Sequence, residues 1–124
     1  MAANKRRAKA EPVLLPRIRV TCGGDIALGP GKVDLLEHVA ATGSIAKAAS
    51  RMGMSYMRAW TLIKTMNACF REPLVAATRG GPEHGGAGLT ETGCAALALY
   101  RQMEVESKAS MAGSWKRLRK LIKP

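Results

Sequence analysis

Gly53 separates two stretches of helical periodicity, and this break constrains the chain more than any other feature. Upstream, Ile45, Ala48, Ala49 and Met52 recur at helical spacing behind Ser44, whose short hydroxyl suits an N-cap. Downstream, Ser55 offers a second N-cap, and Ala59, Leu62, Ile63, Met66 and Phe70 mark one face of a longer helix. The first helix has barely two turns and is not stable alone in water, so it must dock on its neighbour. The residue types fit that docking. Ala49 is tiny where the second helix crosses close above it, and Gly53 supplies the positive φ that the turn needs. Met54 plugs the corner, and Ala59 and Leu62 face the core. In register, these positions spell a helix-turn-helix.

The flanking segments are read around that unit. Residues 1–12 form a polar basic arm, expected to be disordered. Val13 to Cys22 alternates Ile18, Val20 and Cys22 against Arg17, Arg19 and Thr21, which predicts a short half-exposed strand. Gly23, Gly24, Gly29, Pro30 and Gly31 mark a loop. From Lys32 to Ala41 the residues Val33, Leu36, Val39 and Ala40 follow helical spacing, and Gly43 stops that helix. Past the third helix, which ends near Phe70, Glu72–Pro73 forces extended chain and Leu74 to Thr78 has strand length. Five glycines between Gly80 and Gly88 make a hairpin tip, and Leu89–Thr90 returns beside Leu74–Thr78. Thr90 caps a last helix over about 91–112, with Cys94, Leu97, Ala98, Met103, Val105 and Ala109 on its apolar side. Residues 113–124 read as a basic tail. The expected fold is mainly α with a small β-hairpin wing: a winged helix-turn-helix domain over 13–112 with a long C-terminal dimerisation helix.

Composition removes several classes of function. No apolar run approaches the roughly 18 residues of a membrane-spanning helix, and no secretory signal follows the basic start. Cys22, Cys69 and Cys94 are odd in number, far apart and lack a CxxC pair, which argues against a disulfide scaffold and against a zinc module. A reducing cytoplasm suits them. No nucleophile–base set, paired carboxylates or metal-ligand cluster stands out, so the chain is not expected to be an enzyme, and no cofactor is expected. The glycine-rich segments are not followed by Gly-Lys-Ser/Thr and do not sit in a nucleotide-binding frame.

The charge points to a polyanion. Twenty Lys and Arg against nine Asp and Glu give +11 at neutral pH. Both tails are basic, and between Ser44 and Arg79 six bases face the single acid Glu72, whereas residues 10–43 carry a net −1. Subtracting the buried set leaves Tyr56, Met57, Arg58, Trp60, Thr61 and Lys64 outward on the third helix. Such side chains donate to phosphates and read base edges in a major groove of double-stranded DNA. With Ser44, Lys47 and Ser55 at the helix starts and Arg79 on the wing, they form the candidate DNA-binding set; His84 is more simply a loop residue. The competing assignments are an interior aromatic for Trp60 and a merely solvated face for Arg58 and Lys64.

The stretch from Gly43 to Trp60, GSIAKAASRMGMSYMRAW, resembles the helix-turn-helix of the ModE family of molybdate-responsive regulators, relatives of the LysR-type regulators. Ser55-Tyr56, Ala59-Trp60 and Met66-Asn67 look like the ModE branch, and the similarity extends over about residues 16–105. Met57 stands where a basic residue is expected. The resemblance implies a DNA-binding transcriptional regulator acting as a homodimer on a palindromic operator, with control of molybdate transport or molybdenum metabolism genes. Recognition then falls to Ser55, Tyr56, Met57, Arg58 and Lys64, with Arg79 on the wing. The dozen residues after Ala112 are too few for an oxyanion-binding β domain, so a molybdate response by this chain alone is not expected, and a separate molybdate-binding protein is a further candidate partner. Two alternatives stay open: an architectural DNA-binding protein of low sequence specificity, and a small oxyanion-binding protein.

Overall fold

The computed structural model describes residues 11–78 and 86–124. The expectations for residues 1–10, for Arg79 and for His84 lie outside them. The order of elements is β1 (Val20–Cys22), β2 (Asp25–Leu28), α1 (Pro30–Thr42), α2 (Ile45–Arg51), α3 (Tyr56–Cys69), β3 (Val75–Thr78), β4 (Gly86–Leu89) and α4 (Glu91–Arg119). The chain divides into two compact units, residues 17–102 and a second one whose described parts are 11–16 and 103–124.

The larger unit is built on α1. Pro30, with its preset φ, starts the helix, and Gly43 ends it in the left-handed region at φ 68°, its N–H donating to the Val39 carbonyl at 2.8 Å. Val33, Leu35, Leu36 and Val39 are fully buried. Leu35 belongs to the core although the spacing did not select it, whereas Ala40 is exposed. Against this stripe pack Ala48 and Ala49 of α2, Ala59, Ile63 and Met66 of α3, and Leu74, Val75, Ala87 and Tyr100. Burial of the larger of these side chains, at about 1.5–3 kcal/mol each, is the main drive for the fold.

The corner between α2 and α3 is as the spacing predicts. Gly53 has φ 66°, and the amides of Met52 and Met54 both converge on the Ala49 carbonyl at 3.0 Å. Ala49 itself is 1% exposed, which leaves no room for a larger side chain.

Two β-hairpins flank the helices. The pair β3–β4 is antiparallel in regular register, from Val75 opposite Leu89 to Thr78 opposite Gly86. It is the expected wing. The other hairpin corrects the sequence reading: Asp25–Leu28, taken as part of a glycine-marked loop, is a strand paired with β1 across a turn at Gly23 (φ 55°) and Gly24. Only Val20–Cys22 of the predicted 13–22 strand is paired, and the register slips between Val20 and Thr21. Past that irregularity Cys22 is exposed rather than inward.

Thr90 caps α4 as expected, accepting from the Gly93 amide at 2.9 Å and donating to the Pro73 carbonyl at 2.6 Å. Two expectations for this helix fail. It runs on to Arg119, so most of the expected 113–124 tail is helical. Its core contacts come from Gly93, Ala96, Leu97 and Tyr100, while Cys94, Ala98, Met103, Val105 and Ala109 are exposed. Cys94 and Ala98 lie off the stripe formed by Gly93, Leu97 and Tyr100, and Met103, Val105 and Ala109 belong to the smaller unit. Tyr100 is 1% exposed and donates its hydroxyl proton to the Ile18 carbonyl at 2.6 Å. Arg101 pairs with Asp34 and Glu37 of α1.

In the smaller unit, Pro12 and Leu14 are half-buried and Val13 and Leu15 exposed. Lys108, Ala112 and Trp115 line a cleft with Pro12 and Leu14, and Glu11 pairs with Arg119. Glu11 and Pro12 are therefore engaged, where the sequence placed them in a disordered arm.

Candidate nucleic-acid interface

The serine hydroxyls fix both helix starts. Ser44 Oγ accepts from the Lys47 amide and Ser55 Oγ from the Arg58 amide, each at 3.1 Å. Each hydroxyl still has its own proton to donate outward. Behind Ser55, the first turns of α3 leave Tyr56 50%, Met57 64% and Trp60 40% exposed. Lys47, Arg58, Thr61 and Lys64 are exposed as well. Thr61 has spent its proton within the helix, donating to the Met57 carbonyl at 2.8 Å, so it offers an acceptor and a methyl rather than a phosphate donor.

The candidate residues do not form one patch. Tyr56, Trp60 and Lys64 line a groove of about 400 Å³ between α3 and the wing, with Ala76, Ala77 and Gly86 opposite. The Lys64 ammonium lies 5.1 Å from the centroid of the Trp60 ring, within cation–π range. Trp60 is thus a surface residue and not an interior aromatic. Arg58 turns to the other flank. There it lines a cleft of about 310 Å³ with Leu62, Arg17, Arg19 and Lys32. Met57 and Thr61 occupy the ridge between the two flanks. Arg79 lies outside the described residues, and Ser44 and Lys47 sit at the start of α2, not on α3.

The far end of α3 is tied to the wing. Asn67 Oδ1 accepts from the amides of Leu74 at 2.8 Å and Val75 at 3.2 Å, while its Nδ2 donates to the Val75 carbonyl at 3.0 Å. The Gly43 carbonyl accepts from the Ala87 amide at 2.9 Å, anchoring β4 to the α1–α2 corner. These bonds fix the width of the wing-side groove. At the last residue of α3, the Cys22 thiol approaches the Cys69 carbonyl at 3.8 Å. Partial burial and the neighbouring Cys22 thiol push Cys69 above the ordinary thiol range, so it stays neutral at pH 7.

Among the described residues no group of His, Cys, Asp and Glu could hold a metal ion, and no helix is long and apolar enough to cross a membrane. Among the described residues no charged group is buried, and α3 offers an open face of donors and cations. Sequence reasoning missed Arg17, Arg19 and Lys32, which the fold brings beside Arg58, and it missed the bridging role of Asn67.

Comparison with known proteins agrees with this geometry. Residues 31–94 match the bacterial regulatory helix-turn-helix proteins of the lysR family. The chain is 37% identical over 97 residues to the molybdenum transport protein ModE of Azotobacter vinelandii, covering 78% of this chain and 36% of that protein. It is 37% identical over 94 residues to the molybdenum-pterin-binding protein MopA of Rhodobacter capsulatus, covering 76% and 36%. It is 38% identical over 81 residues to the DNA-binding transcriptional dual regulator ModE of Escherichia coli (strain K12), covering 64% and 31%. The chain thus spans about a third of the length of these relatives. The structure of the CbnR DBD–DNA complex superposes with a TM-score of 0.52 at 24% identity, covering 71% of this chain and 93% of that one, which shows the shared fold.

Proposed function

Because the chain belongs to the bacterial regulatory helix-turn-helix proteins of the lysR family, we propose that it is a DNA-binding transcriptional regulator of the ModE type. In this reading it acts by binding double-stranded DNA in the cytoplasm and not by catalysis. The observation that carries the reading is the state of α3: it is capped, packed on one face by Ala59, Ile63 and Met66, and open on the other at Tyr56, Met57, Arg58 and Trp60. An α-helix with its side chains is about 10–12 Å across, the width of a B-DNA major groove. Ser44, Lys47 and Ser55 supply phosphate donors beside it, Tyr56, Arg58 and Lys64 reach bases or phosphates, and Arg79 is the remaining candidate contact.

One recognition helix reads few base pairs, so a homodimer on a palindromic operator completes the proposal. Leu99 of α4 is 64% exposed within the larger unit, and Met103 and Val105 are 41% and 63% exposed within the smaller one, which supports pairing through this helix. The names of the relatives point to genes of molybdate transport or molybdenum metabolism as targets.

The test is selection of bound duplexes from a random pool, with and without molybdate, followed by R58A. A regulator should enrich a symmetric site, and R58A should cut the preference for that site over random duplex by about tenfold, the value of one lost bidentate base contact. An unbiased pool, displaced equally by any competitor duplex, would show instead an architectural protein.

A further inference from the structure

We propose that the cleft on the hairpin side of α3 is a second DNA contact, a seat for backbone phosphates on the groove edge away from the wing. The inference rests on the major-groove reading of α3 and extends it to residues upstream of the family match. Arg17, Arg19, Lys32 and Arg58 converge on one cleft, and no carboxylate lines it. None of the four has an ion-pair partner among the described residues; Lys32 donates one proton to the Ile26 carbonyl and keeps two. Asp25, in the same hairpin, pairs with Cys22 across the turn and does not line the cleft. The stem of Arg19 runs over Gly29, where a Cβ would make only an ordinary contact, 3.7 Å from Arg19 Cγ. Gly29 caps α1 without a side-chain acceptor, so the Gly31 and Lys32 amides, in residues that also line the cleft, are not taken by a cap.

A helix that fills a major groove must have a phosphate ridge against each of its flanks, because the groove is no wider than the helix. One ridge meets the wing side, and the other meets Arg17, Arg19 and Lys32, which stand beside Arg58 where it reaches for the bases. Four cations held close without counter-charge repel one another, and a polyanion relieves that repulsion while releasing its condensed counterions. Arg17, Arg19 and Arg58 are exposed, so a small free oxyanion would compete with water for them, whereas a duplex held on α3 delivers its phosphates there.

The experiment compares the full chain with its R17Q/R19Q variant on a duplex selected by the wild type and on random duplex, across a salt series. The double variant is expected to bind both duplexes at least about tenfold more weakly near 0.1 M salt, with the log–log salt slope reduced by about 2 and the preference between duplexes unchanged. R17K/R19K should restore the slope. If the double variant melts below the assay temperature, R17Q and R19Q singly should each lower the slope by about 1. Affinity within twofold of wild type, with a salt slope changed by less than about 0.5, would overturn the inference while leaving the main reading intact. A wild type that selects no sequence would defeat that reading instead. Inorganic phosphate raising the melting temperature in wild type but not in R17Q/R19Q, with duplex affinity unchanged, would make the cleft a free-oxyanion site and also overturn the inference.

Discussion

The two flanks of α3 are made by different physics. On the wing side, distances are set by hydrogen bonds: Asn67 to the Leu74 and Val75 backbone, and the Gly43 carbonyl to Ala87. The lining is largely apolar, with Lys64 laid over Trp60. On the hairpin side, Arg17, Arg19, Lys32 and Arg58 gather around small backbone at Gly29 and Gly31, with no carboxylate among the lining residues. One flank is a rigid frame and the other an unneutralised charge. Perturbing the first should change stability at constant salt dependence, and perturbing the second should do the reverse.

The largest effect is expected at Gly93, where the first turn of α4 presses on the root of the wing. A Cβ there would lie 2.0 Å from the Leu74 carbonyl oxygen and 2.9 Å from its carbon, so backbone must move. G93A should cost about 3 kcal/mol, the upper end for overpacking, read as a lower urea midpoint at unchanged m-value. A cost below about 1 kcal/mol would mean that the wing root slides freely, and the rigid-frame description would fail.

Next comes Asn67. N67A strands the Leu74 and Val75 amides and the Val75 carbonyl in a part-buried site, and about 2 kcal/mol of destabilisation is expected. N67D keeps the acceptor and loses only the donor, so it should cost less. Neither variant should alter the salt slope of DNA binding. A changed slope would show that the wing frame also positions phosphate-contacting cations, and the contrast between the flanks would blur.

The contrast also explains what was legible in the sequence. Caps and corners are local: Ser44, Ser55 and Thr90 act on amides within their own first turn, and Gly53 answers a backbone requirement at its own position, so each shows in spacing alone. The buried face of α3 follows from helical period for the same reason. The hairpin flank is not local. Its cations come from a strand approach, a helix start and a recognition helix, and a running charge count hides them: residues 10–43 sum to −1 because Asp34 and Glu37 share their window. Those two acids face Arg101 on α4 and do not line the cationic cleft. The strand Asp25–Leu28 was hidden by its length and its flanking glycines, which mimic a loop. The face of α4 was misread because its apolar residues are spread round the helix: Cys94 and Ala98 share turns with the buried Gly93 and the half-buried Leu97, yet both are exposed.

The smallest expected effect is the sharpest test, because Lys64 belongs to the wing side by position and resembles the hairpin side by charge. Its ammonium sits 5.1 Å from the Trp60 centroid at an exposed edge, where such a contact contributes only about 0.5 kcal/mol. A phosphate ridge on the wing side would draw the same ammonium outward at little cost. K64M, which keeps an unbranched stem of similar reach over the indole, should therefore leave the unfolding free energy within about 0.5 kcal/mol while lowering the salt slope of duplex binding by about 1. If stability falls and the slope does not, Lys64 is part of the frame. The described residues of α3 would then supply no phosphate contact on the wing side, and the electrostatic grip on the duplex would lie with the hairpin-side cations.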